Sequence, residues 1–209
     1  MANANIATTI SLPEGSLTAD LLHSGFELPV AKNVQRPLAK HRVRLADLRK
    51  PDLSSVLPTS TTTGDVFLKI AGGTHGSASP LVQSADFASA SGSQGLRIEA
   101  FLPPNYEDGE TIAIVLRAKL TTDASVTKTL DVECYKPDGD GSVGSDLCST
   151  SAQSLTTSWA NYTFVITPTG LVAGDPLDIE VTVALNDGVA GSGVVANISV
   201  VELQFDTRG

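Results

Sequence analysis

An all-β sandwich is the fold class this sequence predicts, and three observations predict it. Segments in which polar and apolar residues alternate recur from residue 65 to the end of the chain. Junctions rich in Gly, Asp, Asn and Pro separate them, the chemistry that strand connections require. Aromatic residues are only 5% of the chain, so Val, Ile and Leu must fill the core. Alternation with a period of two gives each sheet one apolar and one wet face. Two such sheets must stack to cover their apolar sides. A jelly roll is the first expectation, and another Greek-key order is the alternative.

The strands follow in order. "DVFLKIAGG" (65–73) is the first, and "GLRIEAFLP" (95–103) sets Leu96, Ile98, Ala100 and Leu102 against Arg97 and Glu99. "ETIAIVLRAKL" (110–120) comes next, then "VTKTLDVECYKP" (126–137), with Leu130, Val132 and Cys134 on one side. "WANYTFVITPTG" (159–170) sets Tyr162, Phe164 and Ile166 against Thr163, Val165 and Thr167. "LDIEVTVALND" (177–187) sets Ile179, Val181 and Val183 against Glu180 and Thr182, and "VVANISVVELQFD" (194–206) closes the series.

Residues 1–60 read differently, as an extended N-terminal arm before a sandwich domain at 61–209. "SLTADLLHSGF" predicts a short helix capped by Ser16 or Thr18 and ended by Gly25. "LADLRKPDLSSVLP" predicts a second helical turn, stopped by Pro51. Neither has apolar surface enough to fold alone. Val34, Leu38 and Leu48 are among many apolar arm residues that need a covering surface: the body, a sister subunit or a foreign shell.

Charge divides along the same line. Residues 31–50 hold seven Lys or Arg and one acid, Asp47, whereas residues 61–209 hold seven basic and eighteen acidic side chains. Lys32, Arg36, Lys40, Arg42, Arg44, Arg49 and Lys50 therefore form a basic run suited to an acidic protein partner or to solvent. The net charge of −9 disfavours direct nucleic-acid binding. The longest apolar runs, such as "IAIVL" (112–116), are far short of the ~20 residues a membrane helix needs. "MANANIATTISLPEG" has no charged and apolar leader pattern, so synthesis in a cytoplasm is expected.

Candidate chemistry is sparse, and no enzyme activity and no cofactor are expected. Cys134 and Cys148 flank "YKPDGDGSVGSDL". A hairpin would bring them together, but free thiols are the first expectation in a cytosolically made protein. Asp138, Asp140 and Asp146 are dense enough in hard oxygen to suggest a cation loop. The glycine and acid that a calcium loop needs are replaced by Val143 and Ser149, so a solvated hairpin tip is expected. His23, His41 and His75 form no constellation, and no G-x-S-x-G elbow accompanies His75 and Ser77. Glu99, Asp131, Glu133, Asp178, Glu180 and Glu202 are possible glycosidase acids, yet most fall on the wet phase of their strands. Trp159 and Tyr106 are the candidate glycan contacts. For Trp159 the competing expectation is a plug at one end of the core.

The run "SWANYTFVITPTGLVAGDPLDIEVTVALND", with "VVANISVVELQFD" after it, resembles β-sandwich domains of tailed-phage structural proteins. The positions that carry the resemblance are Trp159, Tyr162, Phe164, Ile166, Gly174, Asp175, Leu177, Ile179 and Val181, within residues 95–206. The resemblance implies a capsid decoration protein, located on the virion surface and made in a host cytoplasm. Its arm would dock on a capsid protein shell, and a homotrimer is the implied assembly. A glycan-binding tail or fibre domain and a jelly-roll major capsid protein are the alternatives. No catalytic residue comes with the resemblance.

Overall fold

The computed structural model describes residues 38–123, 125–188 and 193–208. The chain divides into two compact units at Gln35/Arg36, and the described residues lie in the second. The expected helix at 16–26, and Lys32, Val34 and Arg36, fall outside them.

The expected all-β sandwich is what the chain forms. Among the described residues, ten strands are joined by loops and one 3-10 turn at Leu45–Asp47. The strands are β1 (Leu38–Arg42), β2 (Lys69–Ala71), β3 (Leu81–Gln83), β4 (Ser91–Phe101) and β5 (Ile112–Leu120). They continue as β6 (Ser125–Tyr135), β7 (Gln153–Ser154), β8 (Ala160–Ile166), β9 (Pro176–Asp187) and β10 (Ala196–Asp206). One sheet runs β2-β3-β10-β5-β8, with β1 also on β10; the other runs β4-β9-β6-β7. All strand pairs are antiparallel, in a jelly-roll-like arrangement of two stacked sheets.

Alternation places the side chains as expected. Leu96 and Ile98 on β4, Leu130, Val132 and Cys134 on β6, and Ile179, Val181 and Val183 on β9 are buried. They face Ile112, Ile114, Leu116, Phe164, Ile166 and Leu203 of the first sheet in one continuous core. Each such aliphatic side chain contributes about 1.5–3 kcal/mol on burial.

Residues 38–60, expected as part of the arm, are built into this sandwich. β1 pairs with β10 from Leu38↔Asp206 to Arg42↔Glu202. The chain then crosses the open side of the sandwich. Val43 donates to the Val201 carbonyl of one sheet at 2.9 Å, and Arg49 exchanges two 2.9 Å hydrogen bonds with Arg97 of the other. Between them Leu48 is fully buried, and Leu57 follows it into the core. The second expected helical turn forms as the 3-10 turn at Leu45–Asp47 and goes no further; a tight hairpin closed by the Arg49↔Val56 bridge follows it. Pro51 accounts for this, because it supplies no backbone donor to a helix. The hairpin lies close to β4 at Gly95, where a Cβ would come within 3.1 Å of the Val181 carbonyl and 3.4 Å of Pro51.

Candidate functional site: a basic cleft across one sheet

The site begins with an irregularity in β10. β3 pairs with β10 at Asn197 and Ile198, while β1 pairs with the same edge from Glu202 to Asp206. Between the two partners, the register of β10 against β5 shifts at Ile198/Val200. A bulge of this kind bends a strand and interrupts its pairing. The edge is thus notched at Ser199–Val201, between the end of β1 and the start of β3. The approach to β3 depends on Gly72, whose φ is +74° and whose Cβ would lie 2.6 Å from the Ser79 carbonyl. A side chain there would push Ser79–Leu81 away from the notch.

The notch opens into a cleft of about 760 Å³ on the outer face of the first sheet. Its far wall is Trp159. Ala160 pairs with Ala118, and Tyr162, Phe164 and Ile166 point inward, so the residue before Ala160 points outward. Trp159 is therefore half-buried on the sheet's surface rather than a plug in the core. The Lys119 ammonium lies 5.1 Å from its ring centre, a cation–π contact that restrains the indole. Arg117 forms the floor, opposite Val200 on one side and Asn161 on the other. Arg42, Arg44, Ser79 and Ser199 complete the polar lining, and Val43 and Val200 the apolar part. Strands about 4.8 Å apart set the scale. The cleft runs from Trp159, just before β8, over Arg117 of β5 to Ser199–Val201 of β10.

The electrostatics are one-sided. Three arginines line the cleft and no carboxylate does. Arg42 donates through Nη2 to the Ser199 carbonyl at 3.2 Å. Arg44 is bound to Asp47, just outside the lining, at 2.9 Å. Arg117 and Lys119 have no acidic partner among the described residues.

Other expected site residues lie elsewhere. Tyr106, expected as a glycan contact, is instead fully buried, and its hydroxyl donates to the Glu110 carbonyl at 2.7 Å. Asp138 and Asp140 both accept from the Ser142 hydroxyl, at 2.8 and 2.6 Å. Asp146 is engaged separately, accepting the amides of Cys134 and Cys148, each at 2.9 Å. Among the described residues, no group of three or more His, Cys, Asp or Glu could hold a metal. Cys134 and Cys148 are both free thiols; burial pushes Cys134 up to about 12 and raises Cys148 as well.

Of the candidate acids, Glu99, Asp131, Glu133, Asp178 and Glu180 lie on the second sheet, and Glu202 lies on β10 of the first. Glu133 stands opposite Glu180 across β6 and β9, and Arg97 stands opposite Glu180 across β4 and β9. Arg97 holds Asp178 with both nitrogens of its fork, Nε at 2.5 Å from Oδ1 and Nη2 on Oδ2. Burial, followed by the charge of Glu133, pushes Glu180 above the usual carboxylate range, with Arg97 pulling partly the other way.

No protein-family model and no curated protein matches the sequence. Several solved structures are similar in shape. One is the xylan-binding CBM22-1 domain of Paenibacillus barcinonensis Xyn10C, at 12% identity and a TM-score of 0.45, covering 83% of this chain and 97% of that one. Another is TmCBM61 in complex with β-1,4-galactotriose, at 13% identity and a TM-score of 0.40, covering 81% and 89%. An arabinose-bound GH51 α-L-arabinofuranosidase matches at 19% identity and a TM-score of 0.42, covering 79% of this chain and 23% of that one. Likenesses this distant carry nothing about the ligand of this chain.

These findings correct the expected relationship to phage capsid decoration proteins. The structures named above are carbohydrate-binding modules and a glycosidase, and a phage protein that also matches is the enzymatically active domain of a tailspike. The capsid-shell partner, the capsid role and the trimer on a particle that the resemblance implied are withdrawn with it. The fold supplies a physical reason. Leu48 and Leu57, among the apolar arm residues expected to need a covering surface, find it in this chain's own core. Of the basic run, Lys40, Arg42 and Arg44 are exposed beside that core. Lys50 lies 4.2 Å from the Phe67 ring centre, and the Arg49 backbone is paired to Arg97.

Proposed function

We propose that this domain binds carbohydrate in the cleft on its first sheet and does not transform it. The observation that carries the reading is Trp159, a half-buried indole on the wall of a cleft with polar groups at its base. A pyranose presents one face of weakly positive C–H bonds, which packs on the negative face of an aromatic ring. Its hydroxyls need donors and acceptors around the rim, and Arg117, Ser79 and Ser199 offer them. Few convergent polar groups beside an apolar wall are the usual make-up of a small-ligand site. Glycoside hydrolysis ordinarily needs two carboxylates flanking the bond, and none lines this cleft.

The test is direct, because the chain contains one tryptophan. Intrinsic fluorescence therefore reports the cleft alone. Glycans that bind on an array should shift that emission, and Trp159→Ala should weaken their binding by about tenfold or more at an unchanged melting temperature. Full binding by a folded Trp159→Ala variant would place the site elsewhere and sink this reading.

A further inference from the structure

The charge around Trp159 points to a narrower ligand class. We propose that the cleft selects a uronate-bearing glycan, with the Arg117 guanidinium taking the sugar carboxylate while Trp159 packs the ring. This rests on the carbohydrate-binding reading and adds the charge of the ligand to it.

The whole chain has 23 acidic and 14 basic side chains, so an arginine on its surface has acids in excess to pair with. The cleft instead collects three arginines and no carboxylate. Arg117 sits on β5, the second strand from the β8 edge of the sheet, flanked in register by Val200 and Asn161. Neither neighbour can neutralise it. Arg42 spends one donor on the Ser199 carbonyl and keeps the rest of its fork. The nearest acid in register, Glu202, stands opposite Arg42 and is shared with Lys40 at 4.0 Å. Arg44 contributes less, because Asp47 already holds it.

A guanidinium presents paired N–H donors that match the two oxygens of a carboxylate. Placed beside the apolar wall of Trp159 and Val200, that pairing is less hydrated than on an open surface. The chain's net charge of −9 repels an anionic polymer from its acidic surfaces, which favours approach to the basic cleft. Affinity should then fall as salt rises, because part of it is Coulombic.

The full chain would be titrated with oligogalacturonate, oligomannuronate and oligoguluronate, each as the free acid and as its methyl ester, and with a sulfated galactan. Trp159 emission is the readout, beside a neutral glycan array. The expected result is at least one free acid bound about tenfold tighter than its ester. Arg117→Gln should bring that acid and its ester to equal affinity, and an unchanged melting temperature shows that the variant is folded. Equal binding of acid and ester, or tighter binding of the sulfated galactan, overturns the uronate assignment and leaves carbohydrate binding standing. So does neutral binding on the array with no response to any uronate. A blank array together with silent titrations overturns both.

Discussion

Gln94 shows how one buried side chain fastens a loop that has little apolar anchorage of its own. It is 1% exposed. Its Oε1 accepts the Ala85 amide at 2.6 Å. Its Nε2 donates to the Thr62 carbonyl at 2.7 Å, the Asp65 carbonyl at 3.1 Å and the Thr61 hydroxyl at 3.0 Å. The side chain thus replaces strand pairing for residues 61–65. Gln94→Leu keeps the volume and removes every one of these side-chain bonds, orphaning the Ala85 amide and the Asp65 carbonyl while the Thr62 carbonyl keeps the Asp65 amide. It should cost about 3 kcal/mol in denaturant unfolding. A near-neutral result would mean that water already serves those groups. Nothing in "SGSQGLRIEA" marks this residue, since Gln94 lies one position inside a polar stretch. Trp159 is the opposite case: extending the inward phase of Tyr162, Phe164 and Ile166 back to Ala160 puts it on the outer face, so its exposure was legible.

At the scale of elements, the instructive segment is the crossing from Val43 to Arg49. It links the two sheets across their open side, with a backbone bond to Val201 at one end and to Arg97 at the other. Leu48 is its single fully buried side chain. Leu48→Ala should destabilise the domain by about 3 kcal/mol, a core-residue loss rather than a linker effect. Hydrogen exchange should accelerate first at the Arg49 amide, and a change under about 0.5 kcal/mol would show that the segment is dispensable. Local pattern could not reveal this placement. Basic residues and prolines gave the stretch the look of an arm, and only the antiparallel pairing of β1 with β10, more than 150 residues later in sequence, makes it part of the sheet. The long strands were legible because each carries a full period-two stripe. β3 and β7, of three and two residues, carry too little pattern to read.

Across the whole molecule, the two faces carry opposite charge. One sheet presents the arginine cleft, and the other presents Glu133, Glu180, Glu99 and the Arg97–Asp178 pair. On β9 and just before it, two acids respond to pH in opposite directions. Native Glu180 has its pKa raised by burial and then by Glu133, so the folded state binds that proton more tightly than the unfolded chain. Its charged form is a liability at neutral pH, and stability rises as pH falls through the raised value, levelling off below the ordinary 4.5. For Asp175 burial raises the pKa, but the Lys136 ion pair and the Val172 amide outweigh it and bring it below the ordinary 3.8. Its contribution is present above 3.8 and is lost as pH falls through the lowered value. Glu180→Gln should therefore raise the melting temperature at pH 7, with the gain shrinking toward pH 4. An equal gain at both pH values would locate the effect in packing instead of charge.

By itself the sequence determined the class of this protein: alternation at each long strand dictates which residues are buried, and two one-sided sheets have no stable arrangement but face to face. It also determined that the chain is acidic with a basic front. Only the tertiary structure decided where that basic front goes and what it makes. Arg42 and Arg44 meet Arg117 and Trp159 because β1 and β3 share one edge of β10 and leave a notch between them. Strand order and edge sharing depend on pairings between residues far apart in the chain, and no local pattern encodes them.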